Sequence, residues 1–84
     1  MLIGVVSDTH GYYDARLGPA LAGVELILHA GDVGSLEVLA RLGEMAPVVA
    51  VRGNNDDKVG GLGLPLTQDI EAGGAPIHLV HQLP

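Results

Sequence analysis

The chain has 84 residues, no cysteine and a formal net charge of −6. That length bounds it to one small domain, and the missing cysteines exclude disulfides and thiolate metal sites. The acidic balance disfavours general binding to nucleic-acid backbones or anionic membranes, because the only basic side chains are Arg16, Arg41, Arg52 and Lys58.

The segment from Leu2 to Ser7 is a short apolar run rich in β-branched residues, and it reads as a buried strand. Tyr12 to Leu21 has helical spacing at Tyr13, Leu17 and Leu21, with Pro19 expected to kink or shorten the helix. Val24 to His29 reads as a second strand. Ser35 to Met45 reads as a helix: Ser35 stands at the N-cap, Glu37 in the first turn, and Leu36, Leu39 and Leu42 form a stripe. Pro47 to Val51 is a third strand, and Lys58 to Pro65 a Gly-rich loop. Thr67 to Glu71 and Pro76 to His81 are expected to pair across a turn at Gly73-Gly74.

Strand, helix, strand, helix, strand with short connections predicts an α/β fold, a βαβαβ parallel sheet followed by a β-hairpin. Met1 to Val6 lacks the basic segment and cleavage site of a signal peptide, and no apolar run reaches the roughly 20 residues that span a bilayer. A soluble, cytoplasmic protein is therefore expected, with no membrane partner.

Polar residues fall where they matter for chemistry. Each apolar run ends in a metal-capable cluster: Asp8-Thr9-His10, then Gly31-Asp32, then Gly53-Asn54-Asn55-Asp56. The steps from Asp8 to Asp32 and from Asp32 to Asn54 are 24 and 22 residues, about one βαβ unit each. Parallel strands point the same way, so the clusters gather along the carboxyl edge of the sheet, where ligands of open α/β sheets bind. Singly, each cluster is ordinary turn chemistry; three at one phase point to a metal site. Carboxylate, imidazole and amide ligands suit transition metals such as Mn²⁺, with Fe, Zn²⁺, Co²⁺ or Ni²⁺ as alternatives. Two ions about 3.5–4 Å apart clamp a phosphate between them, and Asp32 is the natural bridge.

These blocks resemble the signature blocks of the calcineurin-like metallophosphoesterase superfamily, and are closest to its small bacterial and archaeal phosphodiesterase branch. The His29-Ala30-Gly31-Asp32 and Arg52-Gly53-Asn54 contexts are similar to that branch as well, and the resemblance runs from Leu2 to His81. It implies a single, partial domain over residues 1–84, half of an αββα sandwich. It further implies that Asp8 and His10 bind one metal, Asp32 bridges two, and Asn54 and His81 bind the second. Asn54 and Asp56 would act on the substrate, Asp56 as a supporting residue near its phosphate. The implied function is hydrolysis of small phosphodiesters or phosphomonoesters by metal-bound hydroxide.

Two departures separate the chain from that pattern. Gln82-Leu83-Pro84 stands where the family continues with Gly-His, and a later Gly-His-x-His block is missing. Asn55 occupies the place of a histidine that serves some relatives as general acid, work an amide cannot do. The rival reading is therefore an impaired homologue acting as a metal-binding or interaction module. A phosphate-binding domain of another type is weakened by the absence of a Gly-x-x-x-x-Gly-Lys-[Ser/Thr] or Gly-x-Gly-x-x-Gly motif. A half sandwich leaves apolar surface and strand edges open, so a homo-oligomer is expected. His29 is expected to be buried and bonded to backbone. His78, three residues before His81, should face away from the site.

Overall fold

The computed structural model describes residues 1–82, apart from the side chains of residues 58 and 59; Leu83 and Pro84 lie outside it. The first three apolar runs form strands β1 (Ile3–Val6), β2 (Leu26–His29) and β3 (Val48–Ala50) of one parallel sheet in the order β1-β2-β3. Val6 lies opposite His29, and His29 opposite Ala50, so the three strands end level with one another. That register brings the following loops to a single edge. The chain is thus α/β, with a hairpin added after the sheet.

The helical segments differ from the sequence expectation in length. Of the span from Tyr12 to Leu21, only α1 (Leu17–Ala20) is helical. Asp14 accounts for part of this: its carboxylate accepts hydrogen bonds from the Arg16 backbone N–H at 2.9 Å and from Arg16 Nε at 3.0 Å, a local turn that competes with helix. Pro19 then removes a donor. The second helix, α2 (Leu36–Gly43), begins after Ser35, whose backbone is extended but whose hydroxyl makes no capping bond. Val38 and Leu42 are its buried residues, Leu39 is half-buried, and Leu36 is exposed. The inward stripe therefore keeps Leu39 and Leu42 and takes Val38 in place of Leu36.

Most of the expected Gly-rich loop from Lys58 to Pro65 belongs instead to a 3-10 helical segment, Asp56–Gly63. The hairpin strands β4 (Thr67–Ala72) and β5 (Ala75–Val80) pair antiparallel, with Asp69 opposite His78. Gly73 and Gly74, both at positive φ, make the two-residue turn that suits the twist of the flanking strands.

Period-two alternation along β2 divides the core in two. Ile27 faces the helices and packs with Val6, Leu21, Val33, Val38 and Leu42. Leu28 faces the other way and packs with Val51 and with Leu79 of the hairpin. Both faces of the middle strand are covered, which is why its sequence is continuously apolar. Burying Leu79 docks β5 and fixes where the chain goes next. The next residue but one is His81.

Candidate metal centre

Asp8, His10, Asp32, Asn54 and His81 meet at the carboxyl edge of the parallel sheet. His10 Nε2 lies 3.7 Å from Asp8 Oδ1 and 3.9 Å from Asp32 Oδ2. His81 Nε2 lies 3.4 Å from the same Asp32 oxygen and 3.1 Å from Asn54 Oδ1. Ligand-capable atoms of Asp8, Asp32 and His81 all fall within 4.8 Å of one another. Asp32 Oδ2 thus stands between the two histidines, the position a bridging carboxylate needs.

The loops reach this arrangement through unusual backbone. Asp8, His10 and Asp32 have φ of 58°, 50° and 55°, left-handed values for residues with a Cβ. Such conformations cost on the order of 1 kcal/mol each and persist where surrounding structure imposes them. Here the imposing structure is a set of backbone bonds between the first two loops. Asp8 N–H donates to Gly31 O at 2.9 Å, His10 N–H to Asp32 O at 2.9 Å, and Gly11 N–H to Val33 O at 2.7 Å.

Close approach explains two glycines. A Cβ on Gly53 would lie 2.1 Å from Asp32 Oδ1, and one on Gly31 would lie 2.7 Å from the His81 ring. Only hydrogen at these positions lets the three loops close together.

Asp32 is 3 % exposed, whereas the Asp8 and His10 side chains are about half-exposed. Burial acts to raise the Asp32 carboxyl. The Asn55 backbone N–H and side-chain amide, each at 2.9 Å, then His81 and His10, overcome it and hold the group below the ordinary carboxylate range. Asn55 therefore orients the central carboxylate, a role that spacing could not reveal.

His81 is oriented in turn. Its Nδ1 lies 2.7 Å from Ala30 O. A carbonyl only accepts, so Nδ1 carries a proton and Nε2 is the ring atom turned to the site. Nε2 faces the oxygens of Asn54 and Asp32: as an N–H it donates to them, and when it is deprotonated the three atoms form a donor set for a cation. Ligands about 2.1 Å from one ion in tetrahedral or octahedral geometry stand roughly 3.0–3.4 Å apart, which matches the observed separations. A backbone carbonyl on the far ring nitrogen is also the usual support of a metal-binding histidine. The donor set of Asp8, His10, Asp32, Asn54 and His81 fits divalent transition metals.

Asp56 is placed differently from its expected position near a substrate phosphate. It is 0 % exposed, and its carboxylate accepts from Val33 N–H at 3.1 Å, Gly34 N–H at 2.9 Å and Gly53 N–H at 2.9 Å. Burial acts to raise its carboxyl, but the bonds from Gly53, Gly34 and Val33 together keep it below the usual range. With three backbone donors on its two oxygens and no exposed surface, Asp56 binds the second loop to the third from beneath.

His29 is likewise fully buried. Its Nδ1 accepts from Gly31 N–H at 3.1 Å, so Nε2 carries the proton and donates to Thr9 Oγ1 at 3.0 Å. Thr9 in turn donates to Val33 O at 2.8 Å, which joins all the elements of the first two loops. Desolvation pushes the His29 ring below its ordinary value, against the opposing pull of Asp56 and Asp8. His78 stands on the outer face of the hairpin, exposed, with Nδ1 2.6 Å from Asp69 Oδ1.

A carboxylate- and imidazole-lined edge of this kind is a candidate metal centre on an α/β fold. The chain matches the calcineurin-like phosphoesterase superfamily domain over residues 1–83 and belongs to that superfamily. It is 42% identical over 86 residues to a probable metallophosphoesterase of Methanocaldococcus jannaschii, covering 96% of this chain and 43% of the relative. A probable metallophosphoesterase of Methanothermobacter thermautotrophicus is also 42% identical, with 96% of this chain and 49% of the relative covered. The chain therefore spans less than half the length of these relatives.

Among solved structures, the fold is similar to Vps29 from Chaetomium thermophilum, with a TM-score of 0.72 at 22% identity over 93% of this chain and 43% of that one. A Vps29 single mutant from Entamoeba histolytica gives a TM-score of 0.72 at 25% identity over 95% and 47%. Membership of the superfamily implies divalent metal ions, which the donor set at this edge fits. No helix among the described residues is long and apolar enough to cross a membrane.

Proposed function

We propose that the chain carries a dinuclear metal site that hydrolyses a small phosphodiester or phosphomonoester. The observation behind this reading is the meeting of His81 Nε2 with Asn54 Oδ1 and Asp32 Oδ2 at 3.1 and 3.4 Å, beside His10 and Asp8. Bound divalent ions, Mn²⁺ foremost, supply Lewis acidity, neutralise phosphate charge and lower the pKa of a water molecule.

The chain's own residues do the rest. Asn55 keeps Asp32 ionised and fixes the direction of both its oxygens. Ala30 O sets the His81 tautomer. The half-exposed Asp8 and His10 leave the solvent side of the site accessible to an anionic ester. Asn54, exposed and with its amide oxygen turned to His81, is the side chain placed to meet both an ion and the substrate.

The test is hydrolysis of bis(4-nitrophenyl) phosphate with added Mn²⁺ by wild type and by Asp32→Asn. Turnover in the first and its loss in the second, with both folded, is the expected result. A folded, Mn²⁺-binding chain with no turnover would select the second reading, a catalytically silent metal-binding module. Self-association is part of the same proposal. Leu2 and Val5, 56% and 67% exposed, leave apolar surface along β1, the outer strand of the three. Sedimentation that stays monomeric at every concentration would refute it.

A further inference from the structure

A cavity of about 290 Å³ opens beside the metal centre and shares Asn54 and His81 with it. Arg52, Thr67, Leu66 and Val80 complete much of its lining. The shared residues are the ones assigned to the second ion, so a phosphate held there has the cavity open to one of its substituents. The volume falls just below the range for whole small-molecule sites, and it suits one ester group rather than an entire large ligand.

Arg52 gives the cavity its chemistry. Arg16 is engaged by Asp14, with Nη2 2.6 Å from Oδ2, and Arg41 lies over the Tyr13 ring, 4.1 Å from its centroid. Arg52 is held less completely. Its Nε is buried with no hydrogen-bond partner among the described residues, and its charge partner is Asp57 Oδ1 at 3.3 Å. Asp57 is exposed and its pairing with Arg52 is a contact without a hydrogen bond, of the kind that contributes little and yields to a competitor. A guanidinium carries five N–H donors in a fixed fork, matched to acceptor oxygens. The stem is fixed as well: a Cβ on Gly61 would lie 2.7 Å from Arg52 Cδ and 3.0 Å from Nη1, so this glycine makes room for the side chain beside the 3-10 segment.

We propose that Arg52 and this cavity form a subsite for the ester group of a phosphodiester, and that the group accepted there carries an acceptor oxygen, carbonyl or carboxylate. Leu66 and Val80 take the carbon skeleton, Thr67 offers a hydroxyl, and Arg52 binds the oxygen. The inference rests on the metal-centre reading and narrows its substrate class: an organic phosphodiester with a polar substituent, in preference to a purely aliphatic one.

Three 4-nitrophenyl phosphodiesters of similar size test it, bearing a propyl, a 2-carbamoylethyl or a 2-carboxyethyl second ester. With Mn²⁺ present, wild type should show KM about tenfold or more lower for an oxygen-bearing ester than for the propyl ester, the range of a hydrogen bond to a charged donor. Arg52→Gln should raise KM for the oxygen-bearing esters to that of the propyl ester, and Arg52→Lys should retain part of the preference. A preference for both oxygen-bearing esters assigns a general acceptor site; a preference for only one assigns carbonyl or carboxylate. Equal KM values for all three, or a preference that survives Arg52→Gln, would overturn the proposal.

If Arg52→Gln does not fold, Leu66→Glu at the exposed wall replaces it. Loss of the carboxyethyl preference then supports the subsite, and an unchanged preference refutes it. Should none of the esters be turned over, the hydrolase reading fails separately. The subsite is then decided by calorimetric binding of the same esters, where equal affinities or no binding overturn it and an Arg52-dependent preference sustains it.

Discussion

His81 Nε2 lies 3.4 Å from Asp32 Oδ2, so the residue that follows the hairpin touches the carboxylate that follows the middle strand of the parallel sheet. Fifty-one residues separate His81 from Ala30, yet the carbonyl of Ala30 sets the imidazole tautomer that makes this contact useful. Binding chemistry and hairpin docking are therefore coupled through one ring.

Removing that ring should weaken metal binding without unfolding the chain, since His81 lies beyond β5 and outside both core clusters. His81→Ala is expected to lower Mn²⁺ affinity by about tenfold to a hundredfold in calorimetry. An unchanged affinity would remove His81 from the ligand set.

Asp56 should matter for stability more than its sequence position suggests. Asp56→Ala leaves the N–H groups of Val33, Gly34 and Gly53 without their acceptor at a buried site. The expected cost is about 2–4 kcal/mol, read as a lower urea midpoint. Metal affinity should fall with it, because the Asp32 and Asn54 loops lose their common anchor. A variant as stable as wild type would show that water replaces the carboxylate.

A methyl group at position 53 should disturb the site directly. With a Cβ 2.1 Å from Asp32 Oδ1, Gly53→Ala must displace the carboxylate or the loop. The expectation is a loss of about 1–3 kcal/mol in stability together with weaker Mn²⁺ binding. Unaltered binding would mean that the third loop relaxes without moving Asp32.

The metal-free chain should lose stability as pH falls below about 6.5, the ordinary value for histidine. Burial lowers the folded-state pKa of His29, so between that ordinary value and the folded one the unfolded chain takes up a proton that the folded chain does not. Stability from this source is complete above the unfolded value and is lost as pH drops through the window. Urea midpoints of wild type and His29→Gln between pH 5 and 8 would check this, with a flatter profile expected for the variant.

The sequence by itself determined the order of elements and the edge at which the polar residues collect. Continuous apolar runs can only be strands covered on both faces, and Asp8, Asp32 and Asn54 follow those runs at nearly one βαβ spacing. The Gly73-Gly74 turn was legible for a similar reason, since its chemistry is local. Helix α1 was only partly so: its spacing suggested a longer helix, and the Asp14–Arg16 turn, together with Pro19, ended it.

Tertiary structure alone decided what lies beneath the metal-facing atoms. Asp56 and Asn55 are neighbours in one polar run, yet one is buried under three backbone donors and the other grips Asp32. Their difference depends on which N–H groups from a loop more than 20 residues away come within reach, as Val33 and Gly34 do for Asp56. The left-handed backbone of Asp8, His10 and Asp32 is decided the same way. Periodicity records which face a residue takes; the pairing of distant polar groups is set only when the strands stand side by side.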